Sequence, residues 1–320
     1  MATGTKFELK IGMATREAFG RTLAQLGREN AAIVVCDADL SKSTMTAYFA
    51  KEFPERFFSC GIAEANMTAI AAGLAAAGKI PFLSSFSCFA INKGFEQLRV
   101  CVAYPNTNVK VVGTHSGISI GEDGPSKMSI EETSLACSLP GFTVLSPADE
   151  VCTSAVVRWA AEYVGPVFIR TGRMKVPVVY PQGQVFEVGK AIELIEGSDV
   201  TIMANGLLVA EAIRAHEVLA AESISAGVVD MFSVKPLDRG AIRKAAAGTG
   251  AIVVAEEHLV DSGLGVRVAQ VVAELHPCPM EFVGVHGYAA SASPDQLLDK
   301  YGLRAHDLAA AARKALARKK

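Results

Sequence analysis

A carboxylate at the start of an almost wholly apolar helix can do more than cap it. In Phe57-Phe58-Ser59-Cys60-Gly61-Ile62-Ala63-Glu64-Ala65-Asn66-Met67, Glu64 falls in the first turn of such a helix. It either complements the helix dipole or, from a partly buried position, shares a proton with a bound heterocycle. Just downstream, Phe82, Phe86 and Phe89 cluster where a strand should end and a helix begin. Core packing accounts for any one of them. The carboxyl ends of parallel strands are also where ligands bind, and aromatic faces there suit a flat ring.

The run Gly113-Thr114-His115-Ser116-Gly117-Ile118-Ser119-Ile120-Gly121-Glu122-Asp123-Gly124-Pro125 is too polar and too glycine-rich for a core element. A turn explains Asp123-Gly124-Pro125, but it does not explain a histidine at the end of a strand. Arg173, in Arg170-Thr171-Gly172-Arg173, sets a guanidinium just beyond another strand end. It reads as a surface cation or as a phosphate clamp. Neither a Gly-x-Gly-x-x-Gly turn nor a Gly-x-Ser-x-Gly elbow stands in a strand-turn-helix setting, the spacing of Gly117, Ser119 and Gly121 falling inside the long polar loop, and there is no Walker loop, so the common nucleotide and hydrolase readings lose support.

The elements that must position these residues alternate between short apolar runs and stretches of helical period, which is the pattern of parallel sheets with crossover helices. In the first half, helices are expected over 15–28, 63–77, 89–103, 130–138 and 148–163, and strands over 32–36, 81–85, 108–113, 143–145 and 167–170. Gly, Pro and Gln then break the period, with Pro177, Pro181 and Gly183, and mark a linker. A second series follows, with strands over 199–204, 225–230, 251–255 and 280–285 and helices over 208–221, 238–247, 265–275 and from 305. The expected architecture is α/β, two tandem doubly wound domains: residues 1–175, a linker 176–192, and a smaller domain 193–320.

Composition is compatible with this. Of 320 residues, 50% are hydrophobic and 20% charged, enough for two cores. The 31 basic and 33 acidic residues are scattered and leave a net charge of -2, so no field of one sign is available for nucleic acid or an acidic membrane. The basic tail 313–320 reads as a solvated helix end. Seven cysteines, odd in number and without metal-ligand spacing, read as small core residues in a reducing compartment. Residues 1–6 lack an apolar signal core, and the apolar stretch 69–77 is too short to span a bilayer. A cytoplasmic protein is expected.

Taken together and in this order, the segments resemble transketolase over nearly the whole chain. Gly61-Ile62-Ala63-Glu64 is similar to the segment carrying that family's catalytic glutamate, and Gly121-Glu122-Asp123-Gly124-Pro125, preceded by His115, to its substrate loop. Phe232-Ser233-Val234-Lys235-Pro236-Leu237-Asp238 and Glu256-Glu257-His258 with Gly263-Leu264-Gly265 are similar to its carboxy-terminal domain. The resemblance implies that the first domain binds the pyrimidine of thiamine diphosphate. Glu64 would hydrogen-bond its N1′, and Phe86 and Phe89, with Phe82 close by, would form the aromatic pocket. Asp39 would lie near the thiazolium, Ser43, His115 and Arg173 would hold a sugar phosphate, and Asp123 would sense a substrate hydroxyl. The implied reaction moves a two-carbon ketol unit from a ketose to an aldose. Lys127 departs from the His or Gln common in the family. A charged lysine cannot accept a hydrogen bond, so it either meets an anionic part of the substrate or points away.

A full transketolase begins with a domain that binds the diphosphate through a metal ion, marked by Gly-Asp-Gly and a later asparagine pair. This sequence has neither; Glu122-Asp123-Gly124 sits in the substrate loop. The resemblance therefore implies an amino-terminal transketolase subunit as partner, supplying the diphosphate and Mg²⁺ site, while this chain supplies no metal ligand. The small residues of the 63–77 helix suit close packing between subunits, as in a hetero-tetramer. Two other readings stay open. One is the beta chain of a 2-oxoacid dehydrogenase, which has the same two-domain plan. The other is a non-catalytic regulatory paralogue that binds a partner through 69–77.

Overall fold

Each apolar run read as a strand becomes one in the computed structural model, which describes residues 7–319. The expectation placed on residues 1–6, and the last residue of the basic tail, lie outside the described residues. In chain order the strands of the first part are β1 (Ile11–Ala14), β2 (Ile33–Asp37), β3 (Phe57–Ser59), β4 (Ile80–Phe86), β5 (Lys110–Thr114), β6 (Thr143–Leu145), β7 (Val167–Arg170) and β8 (Lys175–Pro177). Those of the second are β9 (Ile192–Ile195), β10 (Val200–Ala204), β11 (Ala226–Asp230), β12 (Ser233–Lys235), β13 (Ile252–Leu259) and β14 (Met280–Val285).

Among the described residues these form a seven-stranded sheet in the order β12-β6-β7-β5-β4-β2-β3, a five-stranded sheet β14-β13-β10-β11-β9, and a ribbon of β1 with β8. Both larger sheets are parallel except at one edge. There β12 runs antiparallel to β6, and β9 antiparallel to β11. The fold is thus two tandem α/β domains with mixed, mostly parallel sheets. Every residue of β2, β5, β10 and β11 is buried, as expected of strands covered by helices on both faces. Alternation along the strands divides the core. Ile33, Val35, Phe82 and Val112 pack to one side with Phe19 and Leu23 of the helix Thr15–Glu29, and Cys36, Leu83 and Val111 to the other with Met67 of the helix Glu64–Ala76.

Several elements differ from the sequence-based expectation, each for a physical reason. The single helix expected over 89–103 is two π-helical turns, Cys88–Lys93 and Leu98–Ala103, around the short α-turn Phe95–Gln97. Gly94 allows this. A Cβ there would stand 2.6 Å from the Ala90 carbonyl oxygen and 2.9 Å from Thr68 Oγ1, so only glycine lets the turn press against the Glu64–Ala76 helix. β12 lies in sequence with the second domain but completes the first domain's sheet, pairing Ser233 with Leu145. Four cysteines, Cys60, Cys101, Cys137 and Cys278, are only partly buried. Among the described residues no helix is long and apolar enough to cross a membrane.

The domain junction is polar and buried. The Arg170 guanidinium donates from Nε to Glu132 Oε1 (2.6 Å) and from Nη2 to the Glu257 carbonyl (2.7 Å), while Ser119 N–H donates to Glu257 Oε1 (2.5 Å). Beside it Tyr180 O–H donates to Asp230 Oδ2 (2.6 Å). Burial pushes the Asp230 carboxyl up to about 8. The unfolded chain gives up this proton near the ordinary carboxylate range, whereas the folded chain keeps it until about pH 8. Stability from this group is therefore complete at acid pH and falls by about 1.4 kcal/mol per pH unit across neutrality. Asp230→Asn keeps an acceptor for Tyr180 and cannot ionise. Its unfolding midpoint in urea should vary less between pH 5 and pH 7 than that of the parent; identical pH profiles would show that Asp230 ionises freely.

Candidate functional site

All but Phe82 of the residues singled out in the sequence lie around the carboxyl ends of β2, β3, β4, β5 and β7. β2 ends on Asp37, whose carboxylate is fully buried and accepts from Leu40 N (2.6 Å), Thr44 Oγ1 (2.7 Å) and Thr46 Oγ1 (2.9 Å). This anchors the following loop, in which Asp39 is exposed with φ +63° and Ser43 is half-buried. Burial raises the Asp37 carboxyl against the pull of these hydrogen bonds.

β5 ends on Thr114, and His115 follows at φ +58° with 2% exposure. Arg16 Nη1 lies 3.0 Å from His115 Nε2 and donates to the Ser43 carbonyl at 2.8 Å. A guanidinium can only donate, so Nε2 is the acceptor and the ring proton sits on Nδ1, which donates to Thr114 Oγ1 at 2.7 Å. Burial, with Arg16 and Arg173 nearby, pushes the His115 imidazole down to about 3. It is neutral at pH 7 and orients Arg16. Arg16 is a site residue that sequence reasoning missed. Its Nε is buried with no hydrogen-bond partner, and Arg173, beside it, lowers its proton affinity further after burial. Two guanidiniums crowded together with an unused buried donor make a site for an anion.

Arg173 also faces its own chain. Its Nη1 donates to the Ile120 carbonyl and lies 3.5 Å from Glu122 Oε2 and 3.9 Å from Asp123 Oδ2, which brings Asp123 to the anion site. Lys127 is exposed, with Nζ 2.9 Å from Ser126 Oγ. Its carbonyl accepts from Cys88 Sγ at 3.2 Å, pinning this loop to the π-helical turn Cys88–Lys93.

Glu64 begins its helix, as expected, and is 3% exposed. Lys93 Nζ is 3.4 Å from each of its carboxylate oxygens and 4.5 Å from the centroid of the Phe89 ring. Phe86 stacks on Phe89 (5.7 Å) and on His115 (3.8 Å), so it joins the carboxylate end of the site to the anion end. Phe82 is not brought in with them: it is fully buried in the core beside Phe19 and Leu23. An open cleft of about 510 Å³ adjoins Phe89 and Lys93, with the second domain's Tyr288 on its rim. The arrangement can hold a flat ring against a buried carboxylate at one end and an anionic group at the other.

Residues 11–179 match the transketolase pyrimidine-binding domain and residues 189–308 the transketolase C-terminal domain. The chain belongs to the transketolase family. It is 44% identical to a putative transketolase C-terminal section of Methanocaldococcus jannaschii, over 92% of this chain and 93% of that one. It is 39% identical to a 6-deoxy-6-sulfo-D-fructose transketolase subunit of a Clostridium species, over 98% of both chains. Among solved structures, a split-gene transketolase described as an inactive beta4 tetramer superposes with a TM-score of 0.91 at 50% identity, covering 97% of this chain and all of that one. Against single-chain transketolases such as that of Homo sapiens, the chain spans about half the length, 49%. These likenesses do not favour a 2-oxoacid dehydrogenase or a regulatory paralogue.

Proposed function

We propose that this chain is the carboxy-terminal subunit of a split transketolase, active with an amino-terminal partner that carries the diphosphate and Mg²⁺ site, and that together they pass a two-carbon ketol unit from a ketose phosphate to an aldose. The observation that carries the reading is the buried Glu64 carboxylate set against the Phe89 ring, with the Arg16 and Arg173 guanidiniums at the far end of the Phe86–His115 stack. The fit to thiamine diphosphate rests on the same feature: a ring stacked on Phe89 meets a carboxylate whose sole hydrogen-bonding side chain among the described residues is a distant ammonium. When bound, the cofactor supplies an electron sink for breaking a carbon–carbon bond.

The chain's own residues would then divide the work. Glu64 holds or releases a proton at the pyrimidine N1′, Phe89 and Phe86 fix the ring, and Asp39 flanks the thiazolium. Arg16, Arg173 and Ser43 bind the phosphate, with His115 keeping Arg16 in place. Asp123 accepts from a substrate hydroxyl, and Lys127 meets an anionic substituent. The relative named for a sulfonated sugar supports an anionic substrate end without deciding between phosphate and sulfonate. Mg²⁺ is assigned to the partner because the Gly-Asp-Gly and asparagine pair that mark the family's diphosphate-binding domain are not in this sequence. The divisions 1–175, 176–192 and 193–320 are retained as part of the proposal, as is a hetero-oligomer built on the 63–77 helix; the beta4 assembly of the split-gene relative supports self-association.

Ketol transfer from xylulose 5-phosphate, with thiamine diphosphate and Mg²⁺, should occur only when this chain is mixed with its amino-terminal partner. Decarboxylation of a 2-oxoacid by the same mixture, without ketol transfer, would replace this reading.

A further inference from the structure

One cation stands where an aromatic ligand of this site would have to stand. The Lys93 ammonium is 3.4 Å from both oxygens of Glu64 and 4.5 Å from the centre of the Phe89 ring. A heterocycle that stacks on Phe89 while bonding Glu64 needs the space between ring and carboxylate, and that space holds Nζ. The neighbouring aromatic ring offers no alternative, because Phe86 is stacked between Phe89 and His115. The placement is built in by the local fold: the π-helical turn Cys88–Lys93 carries one more residue than an α-turn, and Gly94 lets it lie against the helix that Glu64 begins.

The contact is made to hold and to let go. A carboxylate as buried as Glu64 cannot be left without a counter-charge or a proton. Yet both N···O distances exceed those of a tight charge-assisted hydrogen bond. The Lys93 side chain is also 51% exposed, so it can turn into water without crossing the protein.

We propose that Lys93 is a displaceable placeholder: it neutralises Glu64 and covers Phe89 while the site is empty, and it leaves for solvent when an aminopyrimidine ring takes the carboxylate. This rests on the thiamine diphosphate reading above. Removing the placeholder removes a competitor, so Lys93→Ala should bind the cofactor about three- to tenfold more tightly, the worth of a half-exposed ion pair with a cation–π contact. High salt, which screens the pair in the parent, should narrow the difference.

The test reads the Lys93 amine directly. Acylation by a water-soluble succinimidyl ester is followed by peptide mass spectrometry, and binding by calorimetry, on the chain mixed with its amino-terminal partner and Mg²⁺. The expected result is slow acylation of Lys93 without cofactor, acylation severalfold faster with thiamine diphosphate, no acceleration with inorganic pyrophosphate, and fast acylation of Glu64→Gln with or without cofactor. If the cofactor binds while Lys93 stays protected, or if Lys93→Ala binds it more weakly, the placeholder is overturned and the cofactor reading stands. If Glu64→Gln exposes Lys93 but calorimetry detects no thiamine diphosphate binding, the cofactor reading fails and the exchange fails with it.

Discussion

Replacing Glu64 with glutamine is expected to lower kcat for ketol transfer by the assembled enzyme about 10²- to 10⁴-fold, the range lost when a positioned acid–base group is removed. Glutamine keeps the shape and a hydrogen bond to a ring nitrogen, so affinity for thiamine diphosphate should change far less than kcat. What it lacks is a proton that can be held and released. Glu64 is nearly sealed from solvent at the head of its helix, and among the described residues its only hydrogen-bonding side chain is Lys93, a cation that cannot take over as a proton acceptor. Steady-state kcat measured beside calorimetric binding separates the two effects. A kcat within tenfold of the parent would return Glu64 to the role of a dipole-complementing carboxylate.

How much of this site could be read in advance depended on how local its determinants are. Glu64 and His115 were legible because each breaks its surroundings: a carboxylate opening an apolar helix, a histidine at the end of a strand. Phe82, Phe86 and Phe89 carried equal weight in sequence, since residue type does not record depth. Phe82 lies within β4, opposite Lys110, while Phe86 is its last residue, opposite Thr114; four residues along one strand separate core from site. Arg16 was invisible for a different reason. It follows β1, whose partner β8 lies more than 150 residues away, pairing Ala14 with Lys175. β12 was missed on the same ground, as a three-residue strand whose partner belongs to the other domain. The helix Pro294–Lys300, by contrast, was overlooked although its start is written locally: Ser293 and Gln296 form a capping box around Pro294.

Substituting Arg16 with methionine should raise KM for a phosphorylated ketose about 10²-fold while leaving kcat and KM for a ketose without phosphate nearly unchanged. The magnitude is that of one or two charge-assisted hydrogen bonds. Methionine preserves the apolar stem, so the loss would be of the guanidinium. The change would also act on its neighbour. Arg16 is the donor to His115 Nε2 and, after burial, the first cause holding that imidazole down to about 3. Without Arg16 the ring would lose its donor and its main repelling charge, so its proton affinity would rise and an imidazolium could recover part of the lost attraction at low pH. KM of the variant for the phosphorylated donor should therefore improve as pH falls, in a range where the parent is flat. A double variant that also carries His115→Asn should lose that pH dependence. Equal damage to both donors, with no pH signature, would mean that Arg16 only braces the Ser43 loop, through its bond to the Ser43 carbonyl, and that the anion site lies elsewhere.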